Sequence, residues 1–175
     1  ISGSGLRFTD VSSGKYYYDA VQWAVSSGVT DGIGGTALAP DDFCPRGQVV
    51  EFIWRAMGCP EPTVKENPFT DVSAGESYYK AALWAYGAGV TTGSTADTFS
   101  PGSTCTRGQV VTFLWRANNK PAAAGSTAFS DVPEGAYFAD SVRWAVGKGI
   151  TKGTTDTTFS PGNSCTRGQI LTFLY

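Results

Sequence analysis

The chain of 175 residues contains no histidine. This absence removes the side chain that most often serves as a general base or a metal ligand near neutral pH. No apolar run approaches the roughly 20 residues that a membrane-spanning helix needs. The net charge is −2, so the chain also lacks the basic character expected of a nucleic-acid-binding protein. These absences argue against nucleic-acid binding, membrane insertion and histidine-dependent catalysis.

The four cysteines fit neither a zinc site nor a disulfide framework. No Cys-x2-Cys pair occurs, and Cys44, Cys105 and Cys165 occupy equivalent places in a repeated pattern. We expect these three to behave as small buried hydrophobic residues. A bridge between Cys44 and Cys59 is disfavoured, because a predicted helix of about 12 residues would separate them by roughly 18 Å. We therefore predict no metal site and no cofactor.

A short motif that recurs about every 60 residues organises the chain. It reads Thr-Arg-Gly-Gln in two copies and Pro-Arg-Gly-Gln in the first, and its arginines are Arg46, Arg107 and Arg167. Each copy precedes an apolar run, so threonine and glutamine are expected to form a capping box at a helix start. Pro45 requires a different cap in the first copy.

The arginine of this motif is predicted to be the first helical residue, where the helix dipole does not favour a cation. Two interpretations follow. The arginine lies on a solvated face or pairs with an acid, or it acts with free backbone N–H groups to bind an anionic ligand.

Each repeat is predicted to contain two helices joined by a loop. In the first repeat they span Tyr16 to Ser27 and Arg46 to Met57, and the second is apolar around almost its whole circumference, which is typical of a buried helix. Glu51 and Arg55 interrupt that pattern at i, i+4 spacing, which suits a surface pair. The residue two before the loop proline is expected to plug each loop onto the core; these residues are Leu38, Phe99 and Phe159.

The patterns predict one cooperative all-α body made of three repeats, since no repeat can bury its second helix alone. The predicted repeats are residues 8–58, 69–117 and 129–175, and the third helix-loop-helix unit is cut short within its second helix. Residues 59–68 and 118–128 are predicted linkers, and residues 1–7 are a predicted linker or processed end.

Phe-x-Asp-Val, Gly-Val-Thr-x-Gly, Phe-x-Pro and Thr-Arg-Gly-Gln stand in order in the repeats, and this combination resembles the S-layer homology family over nearly the whole chain. The resemblance implies a pseudo-threefold, three-pronged spindle of helix-loop-helix repeats around a central three-helix bundle. It also implies non-covalent anchoring of a bacterial surface protein to secondary cell-wall polysaccharide, often carrying pyruvylated N-acetylmannosamine, or to a related peptidoglycan-linked glycan. Such a protein is extracellular, at the cell wall or S-layer, with an export signal outside this fragment.

In that family the arginine of a Thr-Arg-Ala-Glu motif contributes to ligand binding at grooves between repeats. Glutamine replaces the family's glutamate here, which is expected to leave the groove more positive. The family's early tryptophan is matched by Tyr16 or Tyr17, by Tyr78, and by Tyr137 or Phe138.

The predicted carbohydrate site takes four residue types from each repeat. Arginine would hold a ligand carboxylate with two hydrogen bonds, aromatic rings would pack on sugar faces, and aspartate and glutamine would bond hydroxyl groups. Core packing is the alternative role for the rings, and acceptance of backbone N–H groups in a turn is the alternative for the aspartates. The predicted residues are Arg46, Arg107, Arg167, Gln48, Gln109, Gln169, Tyr17, Tyr78, Phe138, Asp10, Asp71 and Asp131.

The leading functional hypothesis is a wall-polysaccharide anchor without catalytic activity. The alternative is a structural or interaction module that assembles a surface lattice or binds a surface protein or a host partner. A glycosidase is disfavoured, because no pair of carboxylates stands out.

Overall fold

The computed structural model describes residues 6–175, so residues 1–5 of the predicted linker at 1–7 lie outside the described residues. Residues 6–175 contain no β-strand, only isolated bridges, and the predicted all-α class is confirmed. No helix in this range combines the length and apolar character needed to cross a bilayer. The helices are α1 (Tyr18–Ser26), α2 (Arg46–Ala56), α3 (Tyr79–Gly87), α4 (Arg107–Ala117), α5 (Ala139–Gly147) and α6 (Arg167–Leu174).

The helix starts follow the predicted caps in two of the three repeats. Thr106 accepts from the backbone N–H of Gln109, whose side chain accepts from the N–H of Thr106, and Thr166 and Gln169 repeat this capping box. Pro45 provides no side-chain cap for α2, as expected. The first helix begins later than predicted, at Tyr18, because a turn precedes it: the N–H of Tyr18 donates to the carbonyl of Lys15 at 3.0 Å.

The repeats interlock in a closed cycle. Each first helix packs on the second helix of the preceding repeat, α3 on α2 and α5 on α4, and α1 closes the cycle by packing on α6. The three second helices also contact one another. Their inner side chains are fully buried, which confirms that these helices bury one another; examples are Val49, Val50, Val110, Val111, Ile170 and Leu171.

The segments that precede the second helices form a ring of main-chain bonds between repeats. The N–H of Cys44 donates to the carbonyl of Cys165 at 3.0 Å. The N–H of Cys165 in turn donates to the carbonyl of Cys105 at 2.9 Å. The isolated antiparallel bridges also connect these segments: Phe43 to Thr166, Pro45 to Thr104, and Thr106 to Ser164.

The cysteines inside this ring are buried and unbridged, as predicted for small hydrophobic residues. Burial raises the pKa of the Cys105 thiol to about 11 and that of the Cys44 and Cys165 thiols to about 12. Cys59 is exposed, so it is the accessible thiol of the chain.

Candidate ligand-binding grooves between repeats

Arg46 lies in an aromatic sandwich that belongs to the next repeat. Its guanidinium carbon is 4.9 Å from the ring centre of Phe99 and 4.8 Å from that of Phe113. Its Nη2 donates to Thr91 Oγ1 at 2.7 Å. Because only 6% of the residue is exposed, the interpretation of a solvated arginine is wrong here: the flat cation fills a space between two rings.

Arg107 repeats this arrangement one repeat further along the chain. Its guanidinium carbon lies 4.7 Å from the ring centre of Phe159 and 5.3 Å from that of Phe173. Its Nε donates to the carbonyl of Phe159 at 2.8 Å. Burial lowers the pKa of both Arg46 and Arg107, because the cations lose hydration. Each of these seams therefore holds a buried positive charge.

Arg167 has different partners, and the first repeat explains the difference. Leu38 stands where Phe99 and Phe159 stand in the other repeats. Arg167 Nε donates to Gln48 Oε1 at 2.9 Å, and its Nη1 lies 4.0 Å from Asp42 Oδ2. Gln48 is available because Pro45 has no N–H for the glutamine to cap.

The backbone N–H groups at the helix starts are not free for a ligand. In α4, the N–H of Arg107 donates to the carbonyl of Asn163 at 2.8 Å, and that of Gly108 donates to Pro161 at 2.9 Å. The corresponding N–H groups of α2 and α6 also donate to loop carbonyls of the neighbouring repeat. The accepting carbonyls are those of Ser103 and Pro101 for α2, and of Asp42 and Pro40 for α6. The prediction of free N–H groups aimed at an anion is therefore wrong, because the next repeat caps each helix.

The predicted sugar-stacking rings pack on the glycine of the preceding motif. A Cβ atom on Gly168 would lie 2.7 Å from Tyr17 Cδ1, so the glycine permits this close approach. Tyr78 covers Gly47 and Phe138 covers Gly108 in the same way. Tyr17 is only 1% exposed, which supports the core-packing interpretation for that ring.

The tyrosines one position earlier are the exposed members of each aromatic pair. Tyr16 is 64% exposed and Tyr137 is 59% exposed. Partial burial raises the pKa of the Tyr16 phenol, because it disfavours the charged form. Sequence spacing alone left the choice within each pair open.

The predicted aspartates hold the loops. Asp131 accepts from the N–H of Phe159 at 2.8 Å and from that of Ser160 at 2.7 Å. Ser160 has φ 57°, a left-handed conformation that is uncommon for a residue with a side chain. Asp10 and Asp71 make the equivalent bonds to the loops of their own repeats. The buried Phe159 confirms that the loop is plugged onto the core.

A cavity of about 130 Å3, named here the Arg46 groove, combines residues of all three repeats. Arg46 comes from the first repeat and Tyr137 from the third, and Arg116 is a second cation in the lining. No acidic residue lines it. Its lining residues are Arg46, Thr91, Thr92, Gly93, Gln109, Thr112, Phe113, Arg116 and Tyr137.

Sequence reasoning missed Thr91 and Arg116 as members of this groove. The threonine recurs in Gly-Val-Thr-x-Gly as Thr30, Thr91 and Thr151, and all three are buried. A polar residue that recurs among apolar neighbours indicates a buried hydrogen bond to a specific partner, and this pattern could have identified the threonine from the sequence.

The equivalent cavity of about 240 Å3 beside Arg167, named the Arg167 groove, contains acids. Glu51 is 6% exposed and accepts from Arg55 Nη2 at 2.6 Å and from Ser77 Oγ at 2.9 Å. Arg55 also lies 3.8 Å from Asp31. The predicted surface location of the Glu51 and Arg55 pair is wrong, because Ser77, just before α3, covers it.

The third seam between repeats has matching contacts around its arginine, because Arg107 lies against Thr151, Phe159 and Phe173. We name this seam the Arg107 groove by its equivalence to the other two. Within residues 6–175, no group of three or more cysteine, aspartate or glutamate side chains is placed to hold a metal ion.

Interlocked helical repeats with an arginine at each seam define a repeat-built module. The S-layer homology domain family matches residues 7–50, 68–111 and 128–171, and the chain belongs to that family. The three matched segments confirm the three tandem repeats expected from the sequence. This membership identifies a module that associates with the cell surface.

Two enzymes contain regions similar to the whole chain. An endoglucanase of Bacillus sp. strain KSM-635 is 29% identical over 172 residues, which cover 95% of this chain and 18% of the endoglucanase. An amylopullulanase of Thermoanaerobacterium thermosulfurigenes is 25% identical over 174 residues, which cover 96% of this chain and 9% of that enzyme. The chain thus spans less than a fifth of either relative.

Proposed function

We propose that the chain anchors a longer extracellular protein to the bacterial cell wall by binding an anionic, pyruvylated secondary cell-wall polysaccharide. The observation that carries this proposal is the Arg46 groove, where Arg46 and Arg116 line a cavity without any acidic residue. The carboxylate of a pyruvylated sugar is opposite in sign to these two cations.

The buried arginine gives the groove its affinity for an anion. Arg46 has lost most of its hydration, and its Nε is buried without a hydrogen-bond partner. A carboxylate entering the groove restores electrostatic compensation to that charge in surroundings less polar than water. Arg116 is half-buried and uses Nη1 to donate to the carbonyl of Val90 at 3.2 Å, so its remaining N–H donors serve the ligand.

Two other residues in the lining provide uncharged contacts. Tyr137 presents an exposed ring that packs against the apolar face of a sugar. Gln109 uses Oε1 to accept from the N–H of Thr106, so its amide nitrogen is left to donate to a sugar hydroxyl or acetamide oxygen.

The predicted site residues then divide by role. In this proposal the arginines and glutamines contact the ligand in the grooves. The rings that pack on the motif glycines, and the aspartates that accept from loop N–H groups, hold the surrounding segments in place. The positioning residues are Tyr17, Tyr78, Phe138, Asp10, Asp71 and Asp131. Tyr16 and Tyr137 take over the stacking role.

We assign binding without catalysis to the chain itself. The matched region makes up 18% of the endoglucanase and 9% of the amylopullulanase, so the likeness transfers no hydrolytic activity. The three repeated arginine motifs account for a binding role.

The test is calorimetric titration with purified wall polymer, before and after chemical removal of its pyruvate ketals. We expect the intact polymer to bind and the treated polymer to bind about tenfold more weakly or worse, because the charge-assisted hydrogen bonds are lost. Arg116→Gln should weaken binding, whereas Lys80→Gln, which removes a cation paired with Glu61 outside the grooves, should not. Equal affinity for both polymers would refute the carboxylate mechanism.

A further inference from the structure

The three grooves share one architecture but carry different charges. The position occupied by Glu51 in the Arg167 groove is occupied by Thr112 in the Arg46 groove and by Thr172 in the Arg107 groove. Glu51 lies within the cavity lining, as does Thr112. The backbone context is the same, because all three residues are sixth in their helices.

A second position changes charge in the same direction. Asp31 lines the Arg167 groove, and the residues aligned with it are Thr92 and Lys152. Asp42, 4.0 Å from Arg167, aligns with the neutral Ser103 and Asn163. The acids of these aligned positions therefore all fall in the first repeat.

These acids offset the cations that would attract an anion. Glu51 holds Arg55 at 2.6 Å, and Asp31 lies 3.8 Å from the same guanidinium. Arg116, which aligns with Arg55, has a carbonyl partner instead and keeps its full charge. Two arginines with no acid line the Arg46 groove, whereas Glu51 and Asp31 lie beside Arg55 in the Arg167 groove and Asp42 lies beside Arg167.

We propose that Glu51 is a specificity-determining residue that excludes the anionic ligand from the Arg167 groove, so that only the Arg46 and Arg107 grooves bind it. This inference rests on the proposed function. The buried carboxylate confronts an incoming carboxylate in surroundings that screen charge poorly, and the like charges repel. The extra volume of the Arg167 groove, about 240 Å3 against about 130 Å3, means that this exclusion is electrostatic rather than steric.

The experiment exchanges the residues between grooves and counts sites. The probe is the methyl glycoside of pyruvylated N-acetylmannosamine, and the same glycoside without the ketal is the control. Calorimetry on the full chain should give two sites per wild-type molecule. Glu51→Thr, alone or with Asp31→Thr, should add a third site, and Thr112→Glu should remove one by weakening it about tenfold or more.

Neutral variants separate charge from size. Glu51→Gln should also add a third site, and Thr112→Gln should keep two, because each matches glutamate in length without its charge. Thr112→Glu is expected to fold, since Arg116 stands at i+4 and offers the partner that Arg55 offers to Glu51. Its remaining site in the Arg107 groove reports that the molecule is folded.

Each outcome distinguishes the two proposals. Three sites in the wild type, or two sites still in Glu51→Thr and Glu51→Gln, would overturn the role of Glu51 while the proposed function stands. A third site in Glu51→Thr but not in Glu51→Gln would overturn the electrostatic explanation. Equal binding of both glycosides, or no binding by any variant, would overturn the proposed function and this inference with it.

Discussion

The contact between Gly168 and Tyr17 closes the cycle of repeats, and Gly168→Ala tests it directly. The added methyl group would lie 2.7 Å from Tyr17 Cδ1 and 3.1 Å from the backbone carbonyl oxygen of Pro40. Tyr17 is 1% exposed, so its ring is enclosed by the protein and a clash with it is not relieved by a shift into solvent. The substitution therefore forces the seam between the third and first repeats apart.

Two opposing terms decide the size of the effect. Replacing glycine by alanine within a helix stabilises it by up to about 1 kcal/mol. Overpacking a dense core costs about 1–3 kcal/mol. Because the ring and a backbone atom both resist, we expect the upper part of that range for Gly168→Ala and a net loss of about 1–2 kcal/mol.

Gly108 provides the matched control within the same chain. A Cβ atom there would lie 3.1 Å from Phe138 Cδ1 and 3.3 Å from the carbonyl oxygen of Pro161. Phe138 is only half-buried and yields by a few tenths of an ångström. Gly108→Ala is therefore expected to leave the free energy of unfolding within about 0.5 kcal/mol of the wild-type value, because the helix gain offsets a mild clash.

Urea unfolding followed by circular dichroism measures the free energy of unfolding of both variants, analysed with the same dependence on urea concentration. A double-mutant cycle with Tyr17→Leu completes the test, because replacing the ring with a smaller side chain should remove most of the destabilisation caused by Gly168→Ala. The reasoning fails if Gly168→Ala is as stable as the wild type, or if its penalty is unchanged in the Tyr17→Leu background.

Four further predictions concern polar side chains of the fold. Arg107→Met should lower the free energy of unfolding by about 1–3 kcal/mol in urea titrations, because the carbonyl of Phe159 loses its donor and two rings lose their cation; an unchanged midpoint would contradict this. Asp131→Ala should cost about 1–2 kcal/mol, and Ser160→Gly should recover part of that loss by relieving the left-handed backbone; equal losses with and without the glycine would exclude strain. Thiol labelling of the folded chain at pH 8 should modify Cys59 alone, and labelling in urea should modify all four cysteines. Above about pH 9 the unfolded thiols lose protons that the folded state retains, so stability should fall as pH rises, by up to about 1.4 kcal/mol per pH unit for each buried thiol, and Cys105→Ala should reduce that slope.

The features that the sequence predicted correctly depend on neighbours in the chain. The capping box joins Thr106 and Gln109, which are three positions apart. The burial of the second helices follows from their apolar composition alone. The burial of Arg46 and Glu51 could not be predicted this way, because the residues that cover them belong to the next repeat; Ser77 covers Glu51. Arg46 is enclosed by Phe99 and Phe113, more than 50 positions ahead.

A one-residue difference in register separates the buried ring of the first repeat from the exposed one. Tyr16 and Tyr17 are adjacent and chemically identical, so only the late start of α1 and the approach of Gly168 reveal which ring is buried.

The backbone N–H of Gly108 and its counterparts were expected to be free, because the first N–H groups of a helix have no partner within that helix. Loop carbonyls of the following repeat satisfy them once the cycle closes.

The main-chain ring formed before the second helices has a mechanical consequence. An anchor works under tension, and the bonds from Cys44 to Cys165 and from Cys165 to Cys105 link all three repeats directly. In the proposed function, a ligand in the Arg46 groove would also touch residues of all three repeats, since all three line that cavity. We therefore expect a force applied to the chain to spread over the whole ring, so that the three repeats unfold together rather than one after another.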